Sequence, residues 1–475
     1  MNWKKWIKYT GITLLVLTIL TPIVGYFGLQ SSMKQFYGAN TKVVDVAQFE
    51  PQTGAVVIKN INILAPDSEE FIPRQTLLIE NGLIQSIDNL SIIPAQAKVI
   101  DGTGKYLIPG LIDSHVHLFY SPNDLLLYIA NGITEVREMM GSTDRLALKK
   151  EIEEGRIGPK LWVASPPLGT ASDIEKWFIS WTRQSRNVST STEATEAIQD
   201  FVEEGYDGVK IYSHLNKESY LAATKTAKEL GLPVVGHIPW DIELADFWEN
   251  GQSEVAHFEE LMNGLRRNFG HINGRETEFL QFVTEESEAL ANNLIKGDIA
   301  VTSTLGIVDG LIGQKFELEK VLKEAEIAYV NVGMLEGVKF GSGGFGWLPH
   351  NNLYSLPEGL TTEEIAGRKH YWTTYAEACK ILAEELSKKG VKILAGTDAN
   401  IPAKVPGFSL HNELVNLEKI GMSNAAILKS ATLNPAKFMN SNAGKIMEGY
   451  EANFCLLYTS PSPRDATLSR MPSSA

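Results

Sequence analysis

The chain has 475 residues, of which 44% are hydrophobic and 21% charged, and its formal net charge at pH 7 is −14. A chain of this length can hold two or three domains, or one large α/β barrel with additions. The surplus of acidic residues argues against a nucleic-acid partner. Cys379 and Cys455 lie far apart and form no CxxC pair, so the sequence indicates neither a disulfide framework nor a cysteine zinc site.

The N-terminus carries a membrane signal. Lys4, Lys5 and Lys8 precede an uncharged stretch, residues 9–33, that is long enough to span a bilayer. No clear A-x-A cleavage site follows, so residues 1–35 favour an uncleaved signal anchor over a cleaved signal peptide. The basic flank is expected to stay in the cytoplasm, which places the rest of the chain on the periplasmic or extracellular side.

A small β module is predicted next. Residues 36–54 are assigned to a linker, and residues 55–109 contain short β-rich runs such as AVVIKNINIL and TLLIENGLIQSI, broken by Pro and Asn-Gly. Alternation with frequent turn signals predicts antiparallel strands. We expect these strands to form the N-terminal part of a small β-sandwich.

Residues 110–440 alternate short apolar runs with amphipathic helical stretches. Eight runs are candidate strands, in chain order GLIDSHVH, GITEVREM, LWVASPP, DGVKIYSH, PVVGHIP, SEVAHFE, IAVTSTLG and VKILAGTD. Alternating strands and helices predict a parallel sheet, and a count of eight favours a closed (β/α)8 barrel of the TIM type. Segments 260–298 and 307–360 exceed ordinary connections and are predicted to be lid or substrate-binding insertions.

Five potential metal ligands stand at the ends of four predicted strands. His115 and His117 follow GLIDS, His237 follows VVG, His257 follows EVA, and Asp398 closes LAGTD. Because active sites of such barrels gather at the C-terminal ends of the strands, these side chains are expected to converge. Imidazole nitrogen and carboxylate oxygen suit zinc or a similar divalent ion. In HVH the two side chains leave an extended strand on the same side and can hold one ion together.

Lys210 lies between apolar neighbours in GVKIY, on the fourth predicted strand. A buried ammonium is costly unless it is paired. One interpretation is a strand lysine that reaches the surface or pairs with a carboxylate. The other is that carbon dioxide converts the amine to a carbamate, which can bridge two metal ions.

These motifs together resemble the amidohydrolase superfamily. The resemblance runs from about residue 55 to residue 457, through LIPGLIDSHVHL, VKIY, VVGH, VAH, LAGTD and GFSLHNELVNLEKIGMSNAAILKSATLNPAKF. Within the superfamily, the sequence is similar to the branch of imidazolonepropionase-like proteins and membrane-linked Xaa-Pro dipeptidases. The resemblance implies two divalent ions, with zinc the first choice. The implied ligands are His115, His117 and Asp398 for the first ion, His237 and His257 for the second, and a carboxylated Lys210 as the bridge.

The resemblance also implies the chemistry. Two ions would share a hydroxide that attacks the carbonyl of an amide, dipeptide or cyclic amide, with hydrolysis of its C–N bond. Asp398 would act as general base and then as general acid toward the leaving nitrogen. Candidate substrate contacts near these ligands are Tyr120, Arg137, Tyr212, His214 and His411. For Tyr212, His214 and His411 a structural role has about equal weight, and His271, His350 and His370 are expected in solvent.

Several alternatives stay open at the sequence level. A lactonase or phosphotriesterase could use the same two-ion site, and imidazolonepropionases use one ion, so that Lys210 is the reason to prefer two. A non-catalytic scaffold should have lost ligands, whereas all six positions are occupied. A homo-oligomer is also compatible with the sequence. Residues 441–457 are expected to be a remnant of a C-terminal β module, and residues 458–475 an extraneous or disordered tail rich in Ser and Pro.

Overall fold

The computed structural model describes residues 3–38, 41–46, 54–66, 70–88, 93–119, 121, 123–171, 185–338 and 346–458. The substrate candidate Tyr120 lies outside the described residues. So does the C-terminal tail beyond residue 458, whose predicted disorder therefore stays a prediction.

The N-terminal stretch forms one long helix. Helix α1 spans Trp3–Phe36 and contains Pro22. Its part Trp6–Phe36 is long and apolar enough to cross a membrane, and its side chains are exposed along most of that length. A signal sequence near an N-terminus also satisfies this criterion of length and composition. At the C-terminal end of the helix, Ser32 and Phe36 are buried against the rest of the chain.

The small β module is one mixed sheet. Its strands are β1 (Val56–Leu64), β2 (Phe71–Glu80), β3 (Leu83–Ile87), β4 (Lys98–Asp101), β5 (Tyr106–Pro109) and β16 (Phe454–Leu457), in the order β16-β5-β1-β2-β3 with β4 also on β1. β1 is antiparallel to β2 but parallel to β4 and β5, so the expectation of purely antiparallel strands was wrong. Among the described residues these strands belong to a single sheet, not to the two packed sheets of a sandwich. Alternation of apolar and polar residues does not distinguish parallel from antiparallel pairing of strands.

Each of the eight predicted runs contains a strand. They are β6 (Leu111–Val116), β7 (Ile133–Glu138), β8 (Lys160–Val163), β11 (Val209–Ile211), β12 (Val234–Gly236), β13 (Glu254–Ala256), β14 (Ala300–Thr302) and β15 (Ile393–Leu394). Two short strands that were not predicted, β9 (Leu168–Gly169) and β10 (Arg186–Asn187), lie between β8 and β11 in the chain. All pairings among these ten strands are parallel.

Helices separate the strands. They are α2 (Asp124–Ala130), α3 (Thr143–Glu153), α4 (Ser191–Glu204), α5 (Lys217–Glu229), α6 (Leu244–Glu249), α7 (Phe258–Phe269), α8 (Glu276–Lys296), α9 (Leu305–Phe316), α10 (Leu318–Glu324), α11 (Val332–Glu336), α12 (Thr362–Lys388), α13 (Phe408–Lys419), α14 (Asn424–Ser430) and α15 (Leu433–Phe438). A 3-10 turn covers Ile327–Tyr329. The predicted insertion 260–298 is therefore largely helical, and the described part of 307–360 contains short helices. Helix α12 begins at a capping box formed by Thr361 and Glu364.

The parallel strands form three sheets, β6-β7-β8, β10-β9-β11-β12 and β13-β14-β15. Backbone hydrogen bonds of 2.8–2.9 Å link them, from Ser165 N to Gly208 O, from Ser253 N to Val234 O and from Ser114 N to Ala395 O. The result is a TIM barrel-like α/β fold with a mixed sheet beside it. Its largest core contains buried valines from neighbouring strands, among them Val136, Val209, Val255 and Val301.

Candidate metal centre

The predicted ligands stand at the C-terminal ends of the parallel strands. In chain order they are His115 in β6, His117 directly after it, Lys210 in β11, His237 after β12, His257 after β13 and Asp398 after β15. Parallel strands point their C-terminal ends the same way, so these side chains meet although almost 300 residues separate the first from the last.

One part of the centre contains two histidines and a carboxylate. A ligand atom from each of His115, His117 and Asp398 lies within 4.8 Å of the others. Oδ1 of Asp398 is 3.4 Å from Nε2 of His115 and 2.8 Å from Nε2 of His117. His115 is almost completely buried, whereas the side chains of His117 and Asp398 are 17% and 13% exposed.

His237 and His257 lie next to this group. The ring centroid of His257 is 4.6 Å from that of His115 and 5.3 Å from that of His237. Nδ1 of His237 is 2.6 Å from the hydroxyl of Ser213, and Nδ1 of His257 is 2.9 Å from that of Thr304. A hydrogen bond at Nδ1 fixes the ring and leaves Nε2 as the nitrogen that can bind an ion.

The backbone is strained at two of these residues. His257 has φ of 73° and Asp398 has φ of 56°, in the left-handed region that side chains other than glycine seldom adopt. Such conformations cost about 1–3 kcal/mol each and persist where surrounding structure enforces them. The surrounding structure therefore holds His257 and Asp398 in strained backbone conformations, and these conformations set the directions of the two side chains.

Lys210 is 2% exposed, and within the described part of the chain its Nζ has no hydrogen-bond partner. Its stem crosses Gly236, where an added Cβ would lie 2.8 Å from Cδ of the lysine. Burial lowers the pKa of Lys210 to about 8, although the carboxylates of Glu254 and Asp398 oppose this shift. A lowered pKa enlarges the neutral fraction of the amine, which is the form that reacts with carbon dioxide.

Burial and neighbouring charges set the protonation of the other groups. Burial lowers the pKa of His257 to about 4, and it lowers the pKa values of His115 and His237 well below the ordinary value. Burial alone would raise the pKa of Asp398, but the imidazole of His117 and other cationic neighbours bring it to about 2. At neutral pH the cluster therefore offers neutral imidazoles at His115, His237 and His257 and an ionised carboxylate at Asp398, which are the forms that bind a metal ion.

The donor set fits a divalent cation. Within the described ranges, five buried atoms of the cluster lack a hydrogen-bond partner: Nδ1 and Nε2 of His115, Nδ1 of His117, Nζ of Lys210 and Oδ1 of Asp398. A buried polar atom left unpaired costs about 1–3 kcal/mol. A cation would satisfy the nitrogen and carboxylate lone pairs together, and nitrogen with oxygen is the set that zinc accepts.

Outer residues that the sequence analysis missed hold the ligands in place. Oε1 of Glu260 is 3.5 Å from Nδ1 of His237, and its other oxygen accepts a hydrogen bond from the backbone of Ile238. Asn400 donates a 2.8 Å hydrogen bond to the carbonyl oxygen of His117. Glu260 lies three residues after His257, inside α7, and Asn400 lies two residues after Asp398, so closeness to a predicted ligand was the signal available in the sequence.

An exposed aromatic rim lies beside His237. The ring of Tyr212 stacks on His237 with centroids 4.8 Å apart, and His214 packs edge-on against Trp240 at 4.2 Å. Trp240, which was not among the predicted substrate contacts, is 61% exposed. Tyr212 and His214 thus lie next to the predicted ligands and open to solvent.

Two other predicted substrate contacts lie elsewhere. Arg137 is fully buried, with its guanidinium against the rings of Trp162 and Phe438 and 3.5 Å from Glu254. This is the position of a core residue. Nε2 of His411 is 3.0 Å from the carbonyl oxygen of Asn131 at the end of α2, and His411 itself lies inside α13.

The histidines predicted to be in solvent are exposed. They are His271, His350 and His370. His370 lies on α12, 3.4 Å from Glu276. None of the three belongs to the metal-ligand group found among the described residues.

The family model of the amidohydrolase family matches residues 106–277 and 368–471. A solved Xaa-Pro dipeptidase with bound methionine in its active site is 17% identical, with a TM-score of 0.58, and the match covers 87% of this chain and 96% of that chain. The 5'-deoxyadenosine deaminase of Methanococcus vannielii is 21% identical over 83% of this chain and 85% of its own length.

A match over a shorter part of the chain has a higher sequence identity than these. The dihydroorotase of Trichlorobacter lovleyi is 40% identical over 63 residues, which are 13% of this chain and 15% of that relative. The family match covers more than half of the chain, so the chain belongs to the amidohydrolase family. It is accordingly an enzyme of a family that hydrolyses C–N bonds.

Proposed function

We propose that the chain is a binuclear metal-dependent hydrolase of amide or peptide C–N bonds, with zinc as the first candidate ion. His115, His117 and Asp398 would hold the first ion, and His237 and His257 the second. A carbamate on Lys210 would bridge them. The observation that carries this proposal is the set of buried, unpartnered nitrogen and oxygen atoms that converge at the strand ends.

Ions bound there would polarise the scissile carbonyl and lower the pKa of bound water. Asp398 takes the proton from the attacking water and delivers it to the leaving nitrogen, because its ionised carboxylate accepts a proton at neutral pH. The Nδ1 contacts of His237 and His257 with hydroxyl groups keep both rings oriented while charge moves.

Lys210 is the residue that favours two ions over one. An ammonium cannot ligate a cation, and in the described structure its Nζ has neither a hydrogen-bond partner nor an ion pair. Carboxylation would replace this buried cation with an anion that has two ligand oxygens. A mononuclear hydrolase would need another use for this side chain.

The exposed aromatic rim supports a small substrate with an apolar part. Tyr212, His214 and Trp240 can contact the substrate beside His237, where they are open to solvent. The likeness to a Xaa-Pro dipeptidase makes dipeptides the first class to test. Deamination is the second candidate, because the similarity to 5'-deoxyadenosine deaminase extends over most of both chains.

The deciding experiment uses the full chain purified in detergent. We expect close to two divalent ions per chain by elemental analysis, hydrolysis of at least one dipeptide or acyl amide, and loss of activity on chelation that zinc, cobalt or manganese restores. The panel includes esters, lactones, a phosphotriester and 5'-deoxyadenosine. A chain that is fully active without metal would overturn the proposal, and turnover of lactones or phosphotriesters alone would move it to those classes.

Two features of the whole fold, the barrel and helix α1, complete the proposal. The eight predicted strands of the three parallel sheets would form one closed barrel with β9 and β10 outside it, supported by the backbone hydrogen bonds that link each sheet to the next. Helix α1 would be an uncleaved signal anchor that holds the catalytic part outside the cytoplasm, supported by its length and apolar exposed surface.

A further inference from the structure

The end of α1 packs into an aromatic cluster on the catalytic part of the chain, which we name the helix-end cluster. Its buried members are Phe36, Val330, Met334, Trp347 and Val405, and Tyr37, Phe119 and Phe408 are among the residues that pack on it. The cluster joins four segments that are distant in sequence. Two of these segments lead directly to predicted metal ligands.

The first connection runs to His117. The ring of Phe119 is 6.1 Å from that of Phe36 and 5.3 Å from that of Tyr37, measured between centroids. On its other side Phe119 stacks with His117 at 6.1 Å, with the ring planes 26° apart. Phe119 is thus held between the end of the N-terminal helix and a predicted ligand.

The second connection runs to Asp398. Val405, 1% exposed in the cluster, ends the turn that starts at Asp398. Within this turn Ile401 donates to the carbonyl oxygen of Asp398, and Asn400 donates from its backbone to Lys404. The side chain of Asn400 then reaches the carbonyl oxygen of His117. The two ligand loops are therefore bonded to each other and rest on one apolar cluster.

The contact with α1 is close and specific. Asn331 donates a 2.9 Å hydrogen bond to the carbonyl oxygen of Phe36, and its Oδ1 caps α11 at the backbone of Gly333. A Cβ on Gly333 would collide with the carbonyl oxygen of Gln35. Position 333 therefore accepts only glycine while the helix end is docked, and docking buries Phe36 to 8% exposure.

We infer that Phe36 and Tyr37 are positioning residues for the metal centre, so that the end of the N-terminal helix is a working part of the catalytic site as well as an anchor. This inference rests on the proposed function for its metal readout. Phe36 and Tyr37 hold Phe119, which orients the ring of His117, and the same cluster fixes the turn that carries Asp398. Loss of docking loosens both ligands of the first ion.

The test compares Phe36→Ala and Gly333→Ala in the full chain in detergent. Each variant should weaken zinc affinity, measured by competition with a chelator, by about 10- to 100-fold, the range typical of lost outer-shell support. In the metal-free chain, hydrogen exchange should become faster in the peptides around 115–121 and 398–405. Phe36→Leu should restore most of both properties, because it refills the cluster.

Matched controls separate docking from general damage. Phe27→Ala changes an exposed aromatic residue of the same helix, and Gly367→Ala adds a methyl group where nothing lies within 4 Å. Both should leave zinc affinity and exchange unchanged. Unchanged affinity and exchange in both Phe36→Ala and Gly333→Ala would overturn the inference, as would faster exchange spread evenly into the small mixed sheet.

Failure of the proposed function is distinguishable from failure of this inference. If the unmutated chain binds no divalent ion, the metal proposal is wrong, and the exchange of the two loops alone decides the positioning role. If the unmutated chain binds ions and the docking variants bind them equally well, the metal proposal stands and the positioning role is rejected.

Discussion

Lys210 gives the sharpest prediction at the scale of single residues. If its amine is carboxylated, Lys210→Ala should lose one of two ions and most of the activity, and high concentrations of formate or acetate should restore part of both. Lys210→Arg should stay inactive, because a guanidinium keeps its charge and cannot take up carbon dioxide. Elemental analysis and activity with and without the carboxylate check this outcome.

A suitable control is Lys149→Ala, which removes a lysine that pairs with Asp207 at 2.7 Å, away from the cluster. This variant should keep its ions and show no response to formate. A Lys210→Ala variant with the same metal content as the unmutated chain would reject the bridging role of Lys210 and with it the reason to prefer two ions, leaving His115, His117 and Asp398 as candidates for a single ion.

The buried histidines predict an unusual dependence on pH. Burial lowers the pKa of His257 from 6.5 to about 4, so protons should compete with a bound ion only near pH 4 and not near pH 6.5. The full chain should retain its ions on dialysis at pH 5 and release them as the pH approaches 4. Elemental analysis after dialysis at each pH measures this directly.

The same lowered pKa has a consequence for the metal-free chain. Between pH 4 and 6.5 the unfolded chain binds the proton of His257 and the folded chain does not, so the free energy of unfolding rises with pH there. Stability is thus lost as the pH falls through that window. His257→Asn should reduce this slope, whereas His370→Gln, at an exposed position, should preserve it. Equal slopes in His257→Asn and the unmutated chain would contradict the assignment.

At the scale of elements, the start of α12 can be tested without touching the site. Thr361 accepts a hydrogen bond from the backbone of Glu364, whose side chain in turn accepts one from the backbone of Thr361. Thr361→Ala should lower the free energy of unfolding by about 1 kcal/mol in urea titrations, with unchanged metal content. Thr362→Ala, inside the first turn, is the control and should cost less. A Thr361→Ala variant that loses its ions would show that the cap also supports the site.

The strands could be predicted because their sequence signal is local. Each apolar run of the barrel-like part is short, is followed by a helical pattern and contains a strand in the structure. The pairs Leu168–Gly169 and Arg186–Asn187 were missed, since two residues carry no periodicity. The mixed pairing of β1 with β4 and β5 was missed as well, because parallel pairing depends on how the chain crosses over and not on alternation.

The site was predictable to the extent that it follows strand ends. The candidate ligands could be selected because parallel strands end at the same edge, whatever lies between them in sequence. Arg137 shows the limit of this reasoning, since it lies in a strand whose two faces are both buried, and its neighbours Trp162 and Phe438 are distant in sequence. The same limit applies to the contact of Trp240 with His214 and to that of Glu260 with His237, since each pair is more than 20 residues apart in sequence and meets only in the folded chain.

At the scale of the whole molecule, the sequence suggested that the N-terminal helix and the catalytic part are separate units joined by a linker. Phe36 instead lies in the same buried cluster as Trp347, and its carbonyl oxygen accepts a hydrogen bond from Asn331, about 300 residues away in sequence. The start of the expected linker is thus part of a buried cluster, and Asn123 further holds residues 42 and 44 through hydrogen bonds of 2.9 and 3.0 Å. The end of the N-terminal helix and the rest of the chain are therefore physically coupled.

The last prediction concerns orientation in the membrane. Lys4, Lys5 and Lys8 lie in the first two turns of α1, before its uncharged stretch, and basic residues at the start of a first spanning helix stay in the cytoplasm. A reporter that is active only outside the cytoplasm, fused after Leu457, should give signal, and a cytoplasm-specific reporter at the same position should not. Replacing the three lysines with glutamate should reduce the external signal. Phe36 ends the helix and packs against the part of the chain that carries the predicted ligands. In the expected orientation, the metal centre should therefore lie near the outer face of the membrane. A signal only from the cytoplasmic reporter would reject both this orientation and this location.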